Sequence, residues 1–118
     1  MPSAPVTHIA SVRYKNVADA PEAARRFQAL LTECKLHDGK PYITSLTAGS
    51  NVSPEGASKG IQLCGRLHMF ILVFPDVEAR DYYLHVDPVH QEFKKFIRPL
   101  IEDKFIFDFV DGSFDITS

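Results

Sequence analysis

A chain of 118 residues with 45% hydrophobic and 24% charged side chains is sized for one domain, residues 1–118, around a single core. Its net charge of −2 gives no electrostatic footprint for nucleic acid, and the local group Lys94, Lys95 and Arg98 reads as a solvated helix face. No apolar run approaches the roughly 20 residues needed to cross a bilayer, and Met1-Pro2-Ser3-Ala4-Pro5 lacks the charged start and apolar run of a signal peptide, so a soluble cytoplasmic protein without membrane contact is expected.

Val6 to Lys15 alternates as a strand, with His8, Ala10, Val12 and Tyr14 on one face and Thr7, Ile9, Ser11 and Arg13 on the other. Asp19-Ala20-Pro21-Glu22 has the composition of a helix start: a capping Asp, a Pro in the first turn, and a Glu able to reach back to the orphan amides. Ala23, Phe27, Leu30, Leu31 and Cys34 then recur at helical spacing, opposite Arg25, Arg26, Gln28 and Glu33, until Asp38-Gly39 supplies turn chemistry. Cys34 and Cys64 fit no CxxC or Cys/His ligand spacing, so a reducing compartment is expected and Cys34 reads as a small hydrophobe.

Tyr42 to Ala48 reads as a second strand, followed by a polar loop from Gly49 to Gly60 that is either a plain hairpin excursion or a functional segment. Arg66 to Phe74 is the clearest strand. It is apolar on both faces, with His68, Phe70, Leu72 and Phe74 in phase on one of them. Pro75-Asp76 opens a short helix to about His85, and Asp87-Pro88 opens another, with Val89, Phe93, Phe96, Ile97, Leu100 and Ile101 as its buried stripe. Lys104 to Val110 is the last strand, with Phe105, Phe107 and Phe109 on one face and Ile106 and Val110 flanking Asp108 on the other; Phe114 and Ile116 follow in the tail.

Strand, helix, strand, strand, helix pair, strand is the ferredoxin-like βαββαβ pattern of an α+β fold. Helices can shelter only one face of such a sheet, and the other carries too many large apolar residues to meet water. Homodimerisation through that face, closing an α/β barrel from two chains, is the expectation.

Thr7-His8-Ile9, Asn51-Val52-Ser53-Pro54-Glu55-Gly56, the strand from His68 to Phe74, Asp87-Pro88-Val89-His90-Gln91-Glu92-Phe93 and Phe105-Ile106-Phe107-Asp108-Phe109 occur in this order. Together they resemble the stress-responsive dimeric A/B barrel (Dabb) family over roughly residues 6 to 112, with Tyr82-Tyr83 and the spacing before Asp87-Pro88 most similar to its fungal members. Ile61-Gln62-Leu63-Cys64-Gly65 looks additional to the family pattern. The resemblance implies a dimeric barrel and a mixed set of functions. These include stress-response and antifungal proteins and olivetolic acid cyclase, which folds a linear polyketide without metal or organic cofactor.

The segment from Asp81 to His90 packs two phenols and two imidazoles into ten residues, as acid/base equipment or as a polar hinge between helices. His90 lies in the first turn of its helix, where the positive dipole end disfavours imidazolium and leaves a neutral base. His8 and His68 each sit near the start of a strand. With the first and third strands taken as parallel neighbours, the two meet at one end of a cavity, or each is merely bonded to backbone. His85 and Asp87 near His90 do not form a ligand motif, and no metal is expected. By resemblance to the cyclase, His90 and Tyr82, with Tyr83 as its rival, form the catalytic pair; His8 matches a pocket histidine; and Lys94 stands where the cyclase has a small residue. His90 would then remove a proton α to a carbonyl while a tyrosine hydrogen-bonds the developing oxyanion. Phe27, Phe70, Leu72 and Phe93, with His68 and Lys94, would wall the substrate cavity. The function expected is cofactor-free acid/base catalysis, as a cyclase or lyase of secondary metabolism, on a polyketide-like or small aromatic substrate. A non-catalytic stress-related binding or structural protein and a cofactor-free oxygenase are the alternatives.

Overall fold

The computed structural model describes residues 4–52 and 67–115. Among them, four strands form one sheet: β1 (Val6–Tyr14), β2 (Ser45–Ser50), β3 (Leu67–Phe74) and β4 (Ile101–Phe109). Their order is β2-β3-β1-β4 and every neighbouring pair is antiparallel. The helices α1 (Ala20–Glu33), α2 (Val77–His85) and α3 (Pro88–Ile97) pack on one face, which gives the α+β, ferredoxin-like arrangement read from the sequence.

The antiparallel pairing corrects one expectation. β1 and β3 are neighbours but run in opposite directions, with His8 opposite Leu72 and Val12 opposite His68. A ferredoxin-like sheet places the third strand between the first and second, and the hairpin from β2 reverses it. His8 and His68 therefore share a face but stand four positions apart along β1, about 13 Å at the rise of a strand, and do not meet.

The helix starts follow local chemistry in two cases of three. The Asp76 carboxylate accepts from the Ala79 amide at 2.7 Å to cap α2, and Asp87 accepts from the Val89 amide at 2.9 Å to cap α3, whose first residue is Pro88. At α1 the expected cap is absent: Asp19 makes no capping bond, and Glu22 is held by Arg25 and Arg26 at 2.7 and 2.9 Å instead of reaching back. Asn16 caps the single 3-10 turn just before, accepting from Ala18 at 2.9 Å.

Two strands, β2 and β4, start well away from the sequence reading. Tyr42 and Ile43 are buried but precede β2, which runs Ser45–Ser50, because the Tyr42 hydroxyl is drawn inward onto Asp87. β4 begins at Ile101, not Lys104, since the 3-10 turn Arg98–Leu100 hands directly into the ladder and the Leu100 carbonyl accepts from Lys15 at 2.9 Å. A register shift between Arg13 and Tyr14 leaves Glu102 as an extra residue on β4.

The core lies between sheet and helices. Tyr14, Phe70, Leu72 and Phe74 meet Ala23, Phe27, Leu30 and Cys34 of the first helix region and Phe93 and Ile97 of α3. The opposite face carries Ile9, Ile71 and Val73 with Met69, Phe105, Phe107 and Phe109, the last four 42%, 59%, 52% and 39% exposed. Phe114 is exposed. Residues 53–66, which hold most of the expected polar loop, Cys64 and the additional 61–65 stretch, lie outside the described residues, as does Ile116.

Candidate active site

Alternation on β1 turns His8 into the space between sheet and helices, and β4 places Asp108 directly opposite it. His8 Nδ1 and Asp108 Oδ1 are 2.6 Å apart, and Asp108 Oδ2 accepts from Arg80 Nη1 at 2.7 Å. Arg80, on α2, also donates from Nε to Asp81 at 2.8 Å. The carboxylate fixes the imidazole by its Nδ1 and the guanidinium fixes the carboxylate, so His8 keeps Nε2 for a reactant.

His90 comes from the other wall, one turn into α3. Its Nδ1 donates to the Tyr83 carbonyl at 2.6 Å, which fixes the tautomer and leaves Nε2 as an acceptor. The ring stacks on Tyr83 with centroids 3.6 Å apart. Burial pushes its pKa down to about 4, Lys94 and His8 add to that, and the Tyr83 carbonyl and Asp87 oppose it. The His90 imidazole is therefore neutral, and the main cause is desolvation.

Both imidazoles line one cavity of about 510 Å3. Its deep part is apolar, from Ala10, Val12, Phe27, Phe93 and Ile97, and its outer part carries Lys94, Arg98, Glu102, Asp103 and Lys104. The Lys94 ammonium donates to the Leu84 carbonyl at 2.6 Å, and burial lowers its pKa, helped by Lys104 and Arg98.

The other expected residues divide. Phe27, Phe93 and Lys94 line this cavity with His8 and His90. Phe70 and Leu72 are fully buried behind it; Phe70 stacks on Phe27 at 3.8 Å. His68 lies at the far end of the face, where it meets the Tyr14 hydroxyl at 3.1 Å and borders a separate hollow of about 130 Å3. Burial lowers the His68 pKa and raises that of Tyr14 to about 12. Tyr83 offers the cavity its ring; its hydroxyl is buried without a hydrogen-bond partner among the described residues, and burial with nearby Cys34 and Asp87 raises its pKa. Tyr82 packs on Tyr42 and His37, with centroids 5.4 and 6.1 Å away, outside the cavity lining. The expected Tyr82–His90 pairing is thus not made.

Sequence reasoning missed Asp108 as the partner of His8, and Arg80 behind it. Asp108 had a signal, a single carboxylate inside Phe105-Ile106-Phe107-Asp108-Phe109; Arg80 had none, since its role depends on how α2 crosses β4. No group of three or more His, Cys, Asp or Glu side chains able to hold a metal occurs among the described residues, and none of their helices is long and apolar enough to cross a membrane.

A family model described as Stress Responsive A/B Barrel Domain matches residues 6–111. Among solved structures, the hydroxynitrile lyase of Passiflora edulis is similar at 19% identity and a TM-score of 0.74, over 97% of this chain and 100% of that one. A dimeric ferredoxin-like protein of unknown function from Thermobifida fusca is similar at 13% identity and 0.68, over 92% of each chain. SnoaB, a cofactor-independent oxygenase from Streptomyces nogalater, is similar at 14% identity and 0.66, over 94% and 96%. A comparison with curated protein sequences returns no match.

Proposed function

We propose, because this chain belongs to the stress responsive A/B barrel domain family and sets two oriented imidazoles across one partly apolar cavity, that it is a cofactor-independent acid/base catalyst. The reaction class is that of a cyclase or lyase: a proton is removed beside a carbonyl, or from a hydroxyl, so that a carbon–carbon bond forms or breaks. The observation that carries this reading is the convergence of His8 and His90 on one cavity, each with Nδ1 already committed. An imidazolium formed at His8 has the Asp108 carboxylate 2.6 Å away to balance it. Among the described residues no carboxylate is hydrogen-bonded to His90, so it accepts a hydrogen bond from the substrate hydroxyl or enol while His8 takes the proton. This assigns the base to His8 rather than to His90, and the donor to protonated His8 rather than to a tyrosine. In a cyclisation, the proton taken from carbon by His8 returns to the new alkoxide, so no external oxidant or reductant enters.

A hydroxynitrile lyase and a cofactor-independent oxygenase have similar folds, and the second supports a cavity that works with its own side chains. The substrate in this reading is polyketide-like or a small aromatic carbonyl compound, with a role in secondary metabolism in the cytoplasm. The working form is a homodimer, supported by the apolar outer sheet face and by the dimeric ferredoxin-like relative.

The test is deuterium exchange at the α-carbon of phenylacetone, followed by NMR in heavy water. The native protein is expected to accelerate exchange, His8→Gln to lose about 10²- to 10⁴-fold of that acceleration, and His90→Gln to lose less. Exchange no faster than buffer, or undiminished in His8→Gln, would remove the catalytic reading.

A further inference from the structure

The cavity has two chemically different ends, and the same order is written on both walls. On the sheet wall, Asp108 stands opposite His8 and Lys104 opposite Val12, about 13 Å along the strand. On the helix wall, His90, Lys94 and Arg98 follow at four-residue steps, about 12 Å from first to last. The imidazoles share one end, where His8 helps to hold His90 neutral. Arg98 and Lys104 share the other, where both act on Lys94.

The charges at that outer end do not cancel. Of the two carboxylates there, Glu102 is paired with Arg13 at 2.9 Å, while Asp103, which among the described residues accepts only from the neutral Lys104 backbone amide at 2.9 Å, keeps its charge, so Lys94, Arg98 and Lys104 outweigh it. The side chains of Arg98 and Lys104 make no ion pair among the described residues. A protein of net charge −2 thus lines one cavity with Lys94, Arg98 and Lys104, the last two at its mouth. Between the ends lies an apolar wall that includes Ala10, Phe27 and Phe93.

We infer that the cavity takes an elongated apolar substrate with an anionic head, which Arg98 and Lys104 bind at the mouth while its reacting carbon reaches His8 and His90. This rests on the proposed catalytic use of the cavity and names the class of substrate that it accepts. The head is a carboxylate or a phosphate, since either offers oxygens to a guanidinium fork and an ammonium. Arg98 and Lys104 fix which end enters first. Lys94, between the ends, keeps positive charge close to the oxygen where negative charge develops.

Octanoate, octyl phosphate and octanol, titrated into the native protein at pH 7 by calorimetry, separate the possibilities. At least one of the anions is expected to bind about tenfold or more tightly than octanol, and added salt weakens the anions alone. The anion preferred identifies the head as a carboxylic acid or a phosphate. In Arg98→Gln/Lys104→Gln the advantage of the anions over octanol disappears while octanol affinity is unchanged. His8→Gln keeps anion binding, so loss of proton transfer and loss of head-group recognition are read separately. Octanol binding as tightly as both anions, no binding of any of the three, or a double variant that keeps its preference overturns the inference.

Discussion

At the scale of the residue, His90 makes stability depend on pH. Its folded pKa of about 4 lies below the value of about 6.5 for a free imidazole. Between these values the unfolded chain binds a proton that the folded chain refuses. The contribution is therefore complete above about pH 6.5 and is lost as pH falls toward 4. The gap corresponds to about 3 kcal/mol as an upper bound. Urea unfolding at pH 7 and pH 4.5 should show a native loss that His90→Gln lowers by about 2 kcal/mol, the carboxylates being common to both proteins. Equal losses in the two would mean that His90 is protonated without cost, and so is not desolvated. Neutrality at this position was legible from the sequence, through the helix start at Asp87-Pro88. Its larger cause was not, because burial depends on what α2 and the sheet bring to the ring. The same limit applies to the two tyrosines: adjacent residues on a helix point about 100° apart, and only the packing decides that Tyr83 meets the cavity and Tyr82 meets Tyr42.

At the scale of the element, one carboxylate holds α3 in register with the rest of the site. Asp87 is fully buried, caps the helix through Val89, and accepts from the Tyr42 hydroxyl at 2.5 Å, which ties the loop after α1 to the start of α3. Burial, and after it this bond, pushes the Tyr42 pKa up, so the phenol stays protonated and donating. Asp87→Ala removes the cap and also strands a buried phenol. The expected cost is about 2–4 kcal/mol in urea unfolding, against about 1 kcal/mol for Asp76→Ala, where only the α2 cap is lost. Equal costs would show that the Tyr42 contact adds nothing. Helix starts were readable because capping chemistry is local in the chain. Strand direction was not: whether β1 and β3 run parallel is set by the route of the connection, and the wrong choice put His68 beside His8. The register across β1 and β4 was likewise hidden, and with it the pairing of His8 with Asp108.

At the scale of the whole molecule, the two faces of β4 divide the work. Lys104, Ile106 and Asp108 point toward the cavity side, while Phe105, Phe107 and Phe109 form an aromatic row on the other, with neighbouring centroids 6.3 and 6.2 Å apart. The sequence displayed both faces as apolar, which is why an interface is expected on the face away from the helices. Three partly exposed phenylalanines beside Ile9, Ile71 and Met69 form the contiguous patch that a second copy would bury. Phe107 sits mid-row, so a carboxylate there would be taken out of water without a counter-charge in a sheet-to-sheet dimer. Phe107→Asp is expected to sediment as a monomer at micromolar concentration where the native protein sediments as a dimer. Because β4 also carries Lys104, the variant should bind octanoate or octyl phosphate more weakly through a less firmly held strand, while its far-ultraviolet dichroism stays native. A native protein that sediments as a monomer at that concentration would leave the aromatic row open to solvent and the barrel unformed.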